Sequence, residues 1–231
     1  MNYIVNIWSQ ISLAFNNGYD EHLIFEAMNE PRLAGTTVEW STDERNELCK
    51  DGFICIQKLN QAFVDVVRAS GGNNKKRILI IPTLHAGADA ALSTLFEMPS
   101  DVTPGKLMIS VHMYTPYSFA MEMPGERTFT EKHQAELSGL FKKLYEKFSK
   151  NGYPVFIGEY GATNKDNDAE RIKWFGYYLT EATKYGFIAC VWDNHQFAGS
   201  KTQGERYGYY VREKGVWYSK DIHDVIIKST K

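Results

Sequence analysis

Short apolar segments alternate with longer helical patterns along this chain, and no other feature of the sequence limits its fold as strongly. Each apolar segment is rich in aliphatic or aromatic residues and too short for a buried helix, so it is typical of a strand covered on both faces. Alternation of such strands with helices predicts a parallel sheet with helices packed on it. The expected strands are 22–30, 77–83, 107–114, 154–161 and 187–193.

Apolar residues between these strands recur at helical spacing. They predict six helices, at about 4–15, 53–67, 89–96, 137–148, 169–185 and 220–228. The order is therefore a helix followed by five strand–helix repeats, an α/β fold with about five parallel strands. The 231 residues contain no internal repeat or linker, and we expect one catalytic-type domain spanning 1–231.

Composition narrows the classes of function. Lys plus Arg is 26 and Asp plus Glu is 28, a net charge of −2, which argues against a nucleic-acid partner. No apolar run approaches the roughly 20 residues that span a bilayer, and the N-terminus does not look like a signal peptide. The three cysteines, Cys49, Cys55 and Cys190, cannot all pair and lack metal-binding spacing, so we expect free thiols.

Polar and aromatic residues gather where the predicted strands end. The first strand ends in Asn29-Glu30, the fourth in Glu159-Tyr160 and the fifth in Trp192-Asp193-Asn194, while His112 and Tyr114 end the third. Function in parallel α/β barrels is concentrated at the C-terminal ends of the strands. This edge of the sheet is therefore the predicted active site.

Two carboxylates on different strands, Glu30 and Glu159, meet the requirement of glycoside hydrolysis. One protonates the departing oxygen, and the other attacks the anomeric carbon or activates a water. Asn29 is a candidate ligand of the sugar 2-hydroxyl. His112 and Tyr114 are candidates for orienting the nucleophile. This chemistry needs neither a metal nor an organic cofactor, so we expect none.

Two more aromatic side chains are candidates for binding sugar. Trp192 offers a flat apolar face on which a pyranose ring can stack. Trp40 lies in the loop after Glu30 and either stacks on sugar or packs against the protein. Glu26, four residues before Glu30, is expected to be a structural carboxylate, and His85, just after the second strand, is more typical of a loop residue.

The strand-end motifs resemble glycoside hydrolase family 5, and within it the cellulase-type endoglucanases of subfamily 4. The resemblance covers nearly the whole chain. It rests on FEAMNEPR (25–32), GGNNKKRILIIPT (71–83), VHMYTPYSF (111–119), FIGEYG (156–161), VWDN (191–194) and GERYGYY (204–210).

The resemblance implies a retaining endo-β-1,4-glucanase on a TIM barrel, acting on cellulose-like or mixed-linkage β-glucan. It implies that Glu30 is the general acid/base and Glu159 the nucleophile. Asn29, His112, Tyr114 and Trp192 match the substrate-site positions of the family, and Asn194 of the VWDN segment is a further candidate. Family members are secreted, which sets the expected location.

The chain departs from the family pattern in its strand count. The family barrel has eight strands with the acid/base after the fourth, whereas this sequence begins with what matches the third helix. We therefore expect a partial (β/α)8 barrel without counterparts of the first three strands, or of an arginine and a histidine near the family nucleophile. Leu84-His85 is a smaller departure after the second strand.

Other interpretations stay open beside the endoglucanase. Xyloglucan or mannan is an alternative substrate, because loops set specificity. The chain is alternatively an impaired barrel fragment that folds or oligomerises and at most binds glucan. An uncovered sheet edge favours pairing with a second copy of the chain, so a homo-oligomer is also expected.

Overall fold

The computed structural model describes residues 2–197 and 204–229. Its helices are α1 (Asn2–Ala14), α2 (Glu47–Ala69), α3 (Ala88–Leu92), α4 (Tyr117–Ala120), α5 (Glu131–Lys147), α6 (Asp168–Lys184) and α7 (Lys220–Ser229). Its strands are β1 (Phe25–Glu26), β2 (Leu79–Gly87), β3 (Leu107–His112), β4 (Val155–Tyr160), β5 (Ile188–Val191), β6 (Tyr210–Val211) and β7 (Val216–Trp217). Two 3₁₀ turns lie at Gly72–Lys75 and Ser149–Asn151.

Five strands form one sheet in the order β1-β2-β3-β4-β5, which is also their order in the chain. Strands β1 and β2 are parallel, with Phe25 opposite Leu79 and Glu26 opposite Ile80. A helix lies between each pair of consecutive strands of this sheet. The α/β fold class and the partial (β/α)8 barrel of five parallel strands are thereby confirmed. Strands β6 and β7 form a separate antiparallel hairpin.

The described chain divides into two compact units. The first comprises Met1–Val111 with Glu146–Phe156, and the second comprises His112–Tyr145 with Ile157–Lys231. In the first unit, Trp8 of α1 packs against Phe25 of β1 and Phe63 of α2, with ring centroids 5.3 and 4.5 Å apart. All three side chains are buried, so the apolar stripe predicted for the first helix does face the core.

A buried arginine organises the entry into β1. Arg77 is 0% exposed, and its guanidinium lies 4.7 Å from the centre of the Phe25 ring. Because all five donors need acceptors in the interior, the surrounding backbone supplies carbonyls. The acceptors are the carbonyls of Phe15, Asn16, Tyr19, Asp20 and Leu23, together with Asn74 Oδ1.

An aromatic cluster forms the core of the second unit. Tyr178 of α6 lies with its ring centroid 4.8 Å from that of Tyr160 and 4.7 Å from that of Trp174. The polar ends of two of these side chains hold the segment after β3. Tyr178 donates its hydroxyl to the carbonyl of Met113 at 3.0 Å, and the Trp174 indole donates to that of Thr115 at 2.9 Å.

The structure differs from the sequence-based expectation at several strand ends. Strand β1 has two residues rather than 22–30, and the carbonyl of Ala27 accepts a hydrogen bond from the Trp8 indole at 3.1 Å instead of from a strand. Strand β2 continues to Gly87, so His85 belongs to a strand end and not to a loop. Helix α4 and the β6–β7 hairpin were not predicted, because each strand or helix is too short to show periodicity.

The three cysteines are free thiols, as predicted. Within residues 2–197 and 204–229, none of the helices combines the length and apolar character needed to cross a membrane.

Candidate active site

The segment after β1 carries Asn29 and Glu30, both in the first unit. Asn29 is exposed and Glu30 half-buried. Backbone hydrogen bonds fix this segment on both sides. The carbonyl of Glu30 lies 3.3 Å from a guanidinium nitrogen of Arg32, and the carbonyl of Pro31 accepts from the backbone N–H of His85 at 2.7 Å. The end of β2 therefore holds the chain next to Glu30.

The loop that follows presents an aromatic face. Trp40 is 56% exposed, and the Arg32 guanidinium lies 4.7 Å from the centre of its ring. Arg32 is itself fixed by Glu39, whose carboxylate accepts from Arg32 Nε at 2.7 Å and from the Gly35 N–H at 3.0 Å. An indole that is both held and exposed suits stacking on a sugar ring.

His85 lies behind this loop. Its side chain is 8% exposed, and its ring centroid is 5.9 Å from that of Trp40. Burial lowers the pKa of the imidazole, against the opposing effects of the charge on Asp89, the ring's hydrogen bond to its own carbonyl and the charge on Glu30. His85 was missed as a site candidate because its strand appeared to end earlier in the sequence.

Glu159 lies near the end of β4 in the second unit, and two side chains converge on its Oε2. Tyr114 donates its hydroxyl at 2.8 Å, and His112 Nδ1 lies 3.4 Å away. The backbone carbonyl of Glu159 also accepts from the N–H of Met113 at 2.8 Å. Hydrogen bonds to a carboxylate oxygen fix the rotamer of the side chain, as a nucleophile requires.

Tyr114 is supported by a second tyrosine. The ring of Tyr207 lies 5.3 Å from that of Tyr114, centre to centre, and its buried hydroxyl donates to the carbonyl of Ala120 at 2.9 Å. Burial raises the pKa of Tyr207, so the hydroxyl stays a donor. Tyr207 belongs to the GERYGYY segment, the only signal in the sequence that could have marked it.

The α4 segment after Tyr114 is held by a buried lysine. Lys165 is 5% exposed, and its ammonium donates to the carbonyls of Ser118, at 3.2 Å, and Phe119. Burial lowers the pKa of Lys165 to about 8. The carbonyls at the end of a short helix thus obtain a partner away from solvent.

The end of β5 carries Trp192 and Asn194. Trp192 is 43% exposed, and its backbone N–H donates to the carbonyl of Tyr160 at 2.9 Å. The side chain of Asn194 donates to the carbonyl of Glu205 at 3.1 Å and accepts from the N–H groups of Gln196 and Tyr207, both at 3.0 Å. This pattern indicates that Asn194 orders the chain around Tyr207, while sugar binding by Asn194 stays a prediction.

Each unit thus groups part of the predicted site. In the first, Asn29, Glu30 and Trp40 lie along one segment after β1. In the second, His112 and Tyr114 contact Glu159 directly, as the sequence predicted, and Trp192 follows β5. Their catalytic and binding roles stay predictions.

Comparison with known proteins gives a family match over most of the chain. The family described as cellulase (glycosyl hydrolase family 5) matches residues 1–198. Among curated proteins, the chain is similar to endoglucanase B of Ruminococcus albus, with 42% identity over 226 residues. That match covers 96% of this chain and 51% of the relative, and the chain spans about half the length of the first curated relatives it matches.

Two solved structures extend the comparison. One is a glycoside hydrolase 5 lichenase from a Caldicellulosiruptor species, a Glu-to-Gln variant in complex with cellotetraose. It is 38% identical, with a TM-score of 0.93 over 99% of this chain and 63% of that one. The other is a xyloglucan-specific endo-β-1,4-glucanase from a metagenomic library in complex with cellotriose. It is 33% identical, with a TM-score of 0.86 over 97% of this chain and 63% of that one.

Proposed function

The chain belongs to glycosyl hydrolase family 5, the cellulase family, and from that membership we propose that it is a retaining endo-β-1,4-glucanase. The proposed substrate is cellulose-like or mixed-linkage β-glucan. The observation that carries the proposal is the pair of side chains on Glu159 Oε2, the hydroxyl of Tyr114 at 2.8 Å and the imidazole of His112 at 3.4 Å. An ionised, oriented carboxylate at a strand end is what a glycosidase nucleophile needs.

In the proposed reaction, Glu159 attacks the anomeric carbon while the glycosidic oxygen takes a proton from Glu30 and departs. Glu30, now a carboxylate, then removes a proton from a water that attacks the same carbon and releases Glu159. Retention in this scheme requires the two carboxyl groups to lie about 5 to 5.5 Å apart. A crystal structure with a bound covalent inhibitor would test that spacing.

The remaining residues have proposed roles in binding. Asn29, next to Glu30, is proposed to bind the sugar 2-hydroxyl, a contact that tightens in the transition state. Trp192 and Trp40, at 43% and 56% exposure, are proposed to stack on pyranose rings. A polymer cannot cross a membrane, so we propose that the protein acts outside the cell, with no cofactor beyond its own side chains.

The comparisons also favour related substrates. A relative named lichenase and one named xyloglucan-specific are similar over nearly the whole chain, so mixed-linkage glucan and xyloglucan are the first alternatives to assay. Mannan is a further alternative. Because the chain spans about half of its curated relatives, an impaired domain that only binds glucan is the alternative of another class.

Release of reducing ends tests the proposal. The wild-type chain should release them from soluble mixed-linkage β-glucan, and Glu159→Gln, which keeps the shape of the side chain but removes its charge, should not. Product anomers followed by NMR in the first minutes should retain the β configuration. Binding without hydrolysis by the wild-type chain would instead support the impaired domain, and α products would rule out a retaining mechanism.

A further inference from the structure

The end of β2 adopts a backbone conformation that its residues disfavour. His85 and Ala86 are adjacent non-glycine residues with φ of +42° and +51°. The left-handed region is strained for residues with a Cβ, and such strain is found mostly at functional sites. The following residue must be glycine, because a Cβ on Gly87 would lie 2.3 Å from Cε1 of the His85 ring. The local fold therefore accepts strain to place this imidazole.

The imidazole also has an unusual polar environment. It is 8% exposed, and its Nε2 is buried without a hydrogen-bond partner among the described residues. In a neutral imidazole, Nε2 can be an acceptor without a hydrogen bond, which has a moderate free-energy cost. A protonated one would place a buried, charged N–H there, which costs far more. The site is consequently suited to the neutral ring alone.

The ring packs on the aromatic face of the loop that follows Glu30. Its centroid lies 5.9 Å from that of Trp40, with the ring planes tilted by 59°. The Arg32 guanidinium contacts the same indole, and Arg32 also bonds the carbonyl of Glu30. A hydrogen bond from Thr42 Oγ1 to Asp89 Oδ2, at 2.8 Å, joins the Trp40 loop to α3, just after Gly87. Trp40 is therefore supported from the end of β2.

We propose that His85 is a positioning residue that holds Trp40 as the stacking surface for the sugar on the leaving-group side of the scissile bond. The inference rests on the proposed function, in which Glu30 protonates the leaving group. Glu30 then lies on the leaving-group side of the scissile bond, and Arg32 links the Trp40 ring to it. Supported by the neutral ring, Trp40 keeps the orientation in which a departing glucose unit stacks on it.

The proposal has a consequence for pH dependence. The charged groups that act on the imidazole are Asp89 of α3 and Glu30, and both favour its protonation, while burial opposes it and prevails. The pKa of His85 is therefore below its ordinary value of 6.5, and the ring stays neutral at pH 7. Acidification through that lowered pKa protonates the ring and removes the support of Trp40.

Three variants separate the effect of the His85 ring from the effect of the left-handed turn that carries it. His85→Phe keeps a flat ring and removes protonation. His85→Asn removes the ring with a residue that tolerates the left-handed conformation. Ala86→Gly is the matched control, because it relaxes the same turn and leaves the His85 ring in place.

The first experiment needs no substrate. The indole N–H resonance of Trp40, identified by its loss in Trp40→Phe, is followed by NMR from pH 7.5 to pH 5. We expect it to titrate with a midpoint below 6.5 in the wild type and in Ala86→Gly. It should not titrate in that range in His85→Phe, and should be displaced at every pH in His85→Asn. The same titration in the wild type and His85→Phe, or an undisplaced resonance in His85→Asn, would overturn the inference.

The second experiment compares a cello-oligosaccharide, whose leaving group is a sugar, with an aryl β-cellobioside, whose leaving group is not. At pH 7, His85→Asn should lower kcat/KM for the oligosaccharide about tenfold, chiefly through KM, and leave the aryl substrate nearly unchanged. Equal losses on both substrates would contradict the inference. If the wild type cleaves neither, the proposed function fails, while the Trp40 titration still decides the role of His85.

Discussion

The segments that carry the two glutamates are built differently. Glu30 follows a strand of two residues, and backbone atoms at Ala27, Glu30 and Pro31 take part in the hydrogen bonds of its segment. Glu159 lies within a six-residue strand, and the hydroxyl of Tyr114 bonds its carboxylate directly. That bond suits the proposed nucleophile, whose carboxylate must keep one rotamer.

The residues that support the two segments also differ in kind. The chain leading into β1 is ordered by Arg77, which donates to five backbone carbonyls and Asn74. Around Tyr114, the supports are aromatic side chains, chiefly Tyr207 and Tyr178. Replacing Arg77 should therefore lower the stability of the fold, whereas removing the side-chain contacts around Tyr114 should lower catalytic activity.

The largest expected effect is loss of either carboxylate. Glu30→Ala and Glu159→Ala should each lower kcat on β-glucan by at least about a thousandfold, because each removes an essential chemical step. Azide separates the two roles. It should replace the nucleophile in Glu159→Ala and yield an α-glycosyl azide, whereas Glu30→Ala should yield the β anomer. Near-wild-type activity in either variant would end the assignment.

Replacement of Arg77 should act on stability. Arg77→Lys keeps the charge but cannot reach all six acceptors, so buried carbonyls lose their partners. We expect the free energy of unfolding to fall by about 3 kcal/mol, measured by urea denaturation. Arg45→Lys is the matched control, since Arg45 pairs with Asp43 on the surface and should change stability little. A loss in Arg77→Lys no larger than in the control would show that this hydrogen-bond set is not essential.

Removal of the Tyr114 hydroxyl should have a smaller effect, confined to chemistry. Tyr114→Phe deletes one hydrogen bond to a charged group, which corresponds to a loss of kcat/KM of about 10- to 100-fold. Tyr178→Phe, which loses a bond to a backbone carbonyl, should lower kcat/KM less. A kcat/KM of Tyr114→Phe equal to that of the wild type would contradict the assigned orientation.

The strands and the larger helices of the fold were predictable because buried strands and amphipathic helices have distinct periodicities. The apolar stripe containing Trp8 forms α1, and the apolar segments form the five-stranded sheet. Strand ends were less predictable, because pairing depends on neighbours that the sequence does not specify locally. Leu84 and His85 thus extend β2 beyond the strand 77–83 expected from the sequence.

The site was predictable to the extent that each residue belongs to a strand-end motif. His112 and Tyr114 were expected near a nucleophile, and both contact Glu159. The supports could not be predicted in the same way. Tyr207 lies 93 positions after Tyr114, and His85 reaches Trp40 only through a left-handed turn, so neither contact has a local signal.

Self-association of the 231-residue chain is the smallest effect we expect, and it concerns the outermost strands of the sheet order, β1 and β5. Ile24, beside β1, is 41% exposed, and Ile188 of β5 is 55% exposed. Exposed apolar edge strands favour pairing between copies, and charged residues on an edge oppose it. Sedimentation equilibrium at micromolar concentration should give an average mass above the 26.4 kDa of one chain. Ile188→Lys should lower that mass, whereas Val102→Lys, at an 86% exposed position outside both strands, should not. A monomeric wild type with full activity would show that these edges do not drive association, and that each copy holds both glutamates in a working arrangement alone.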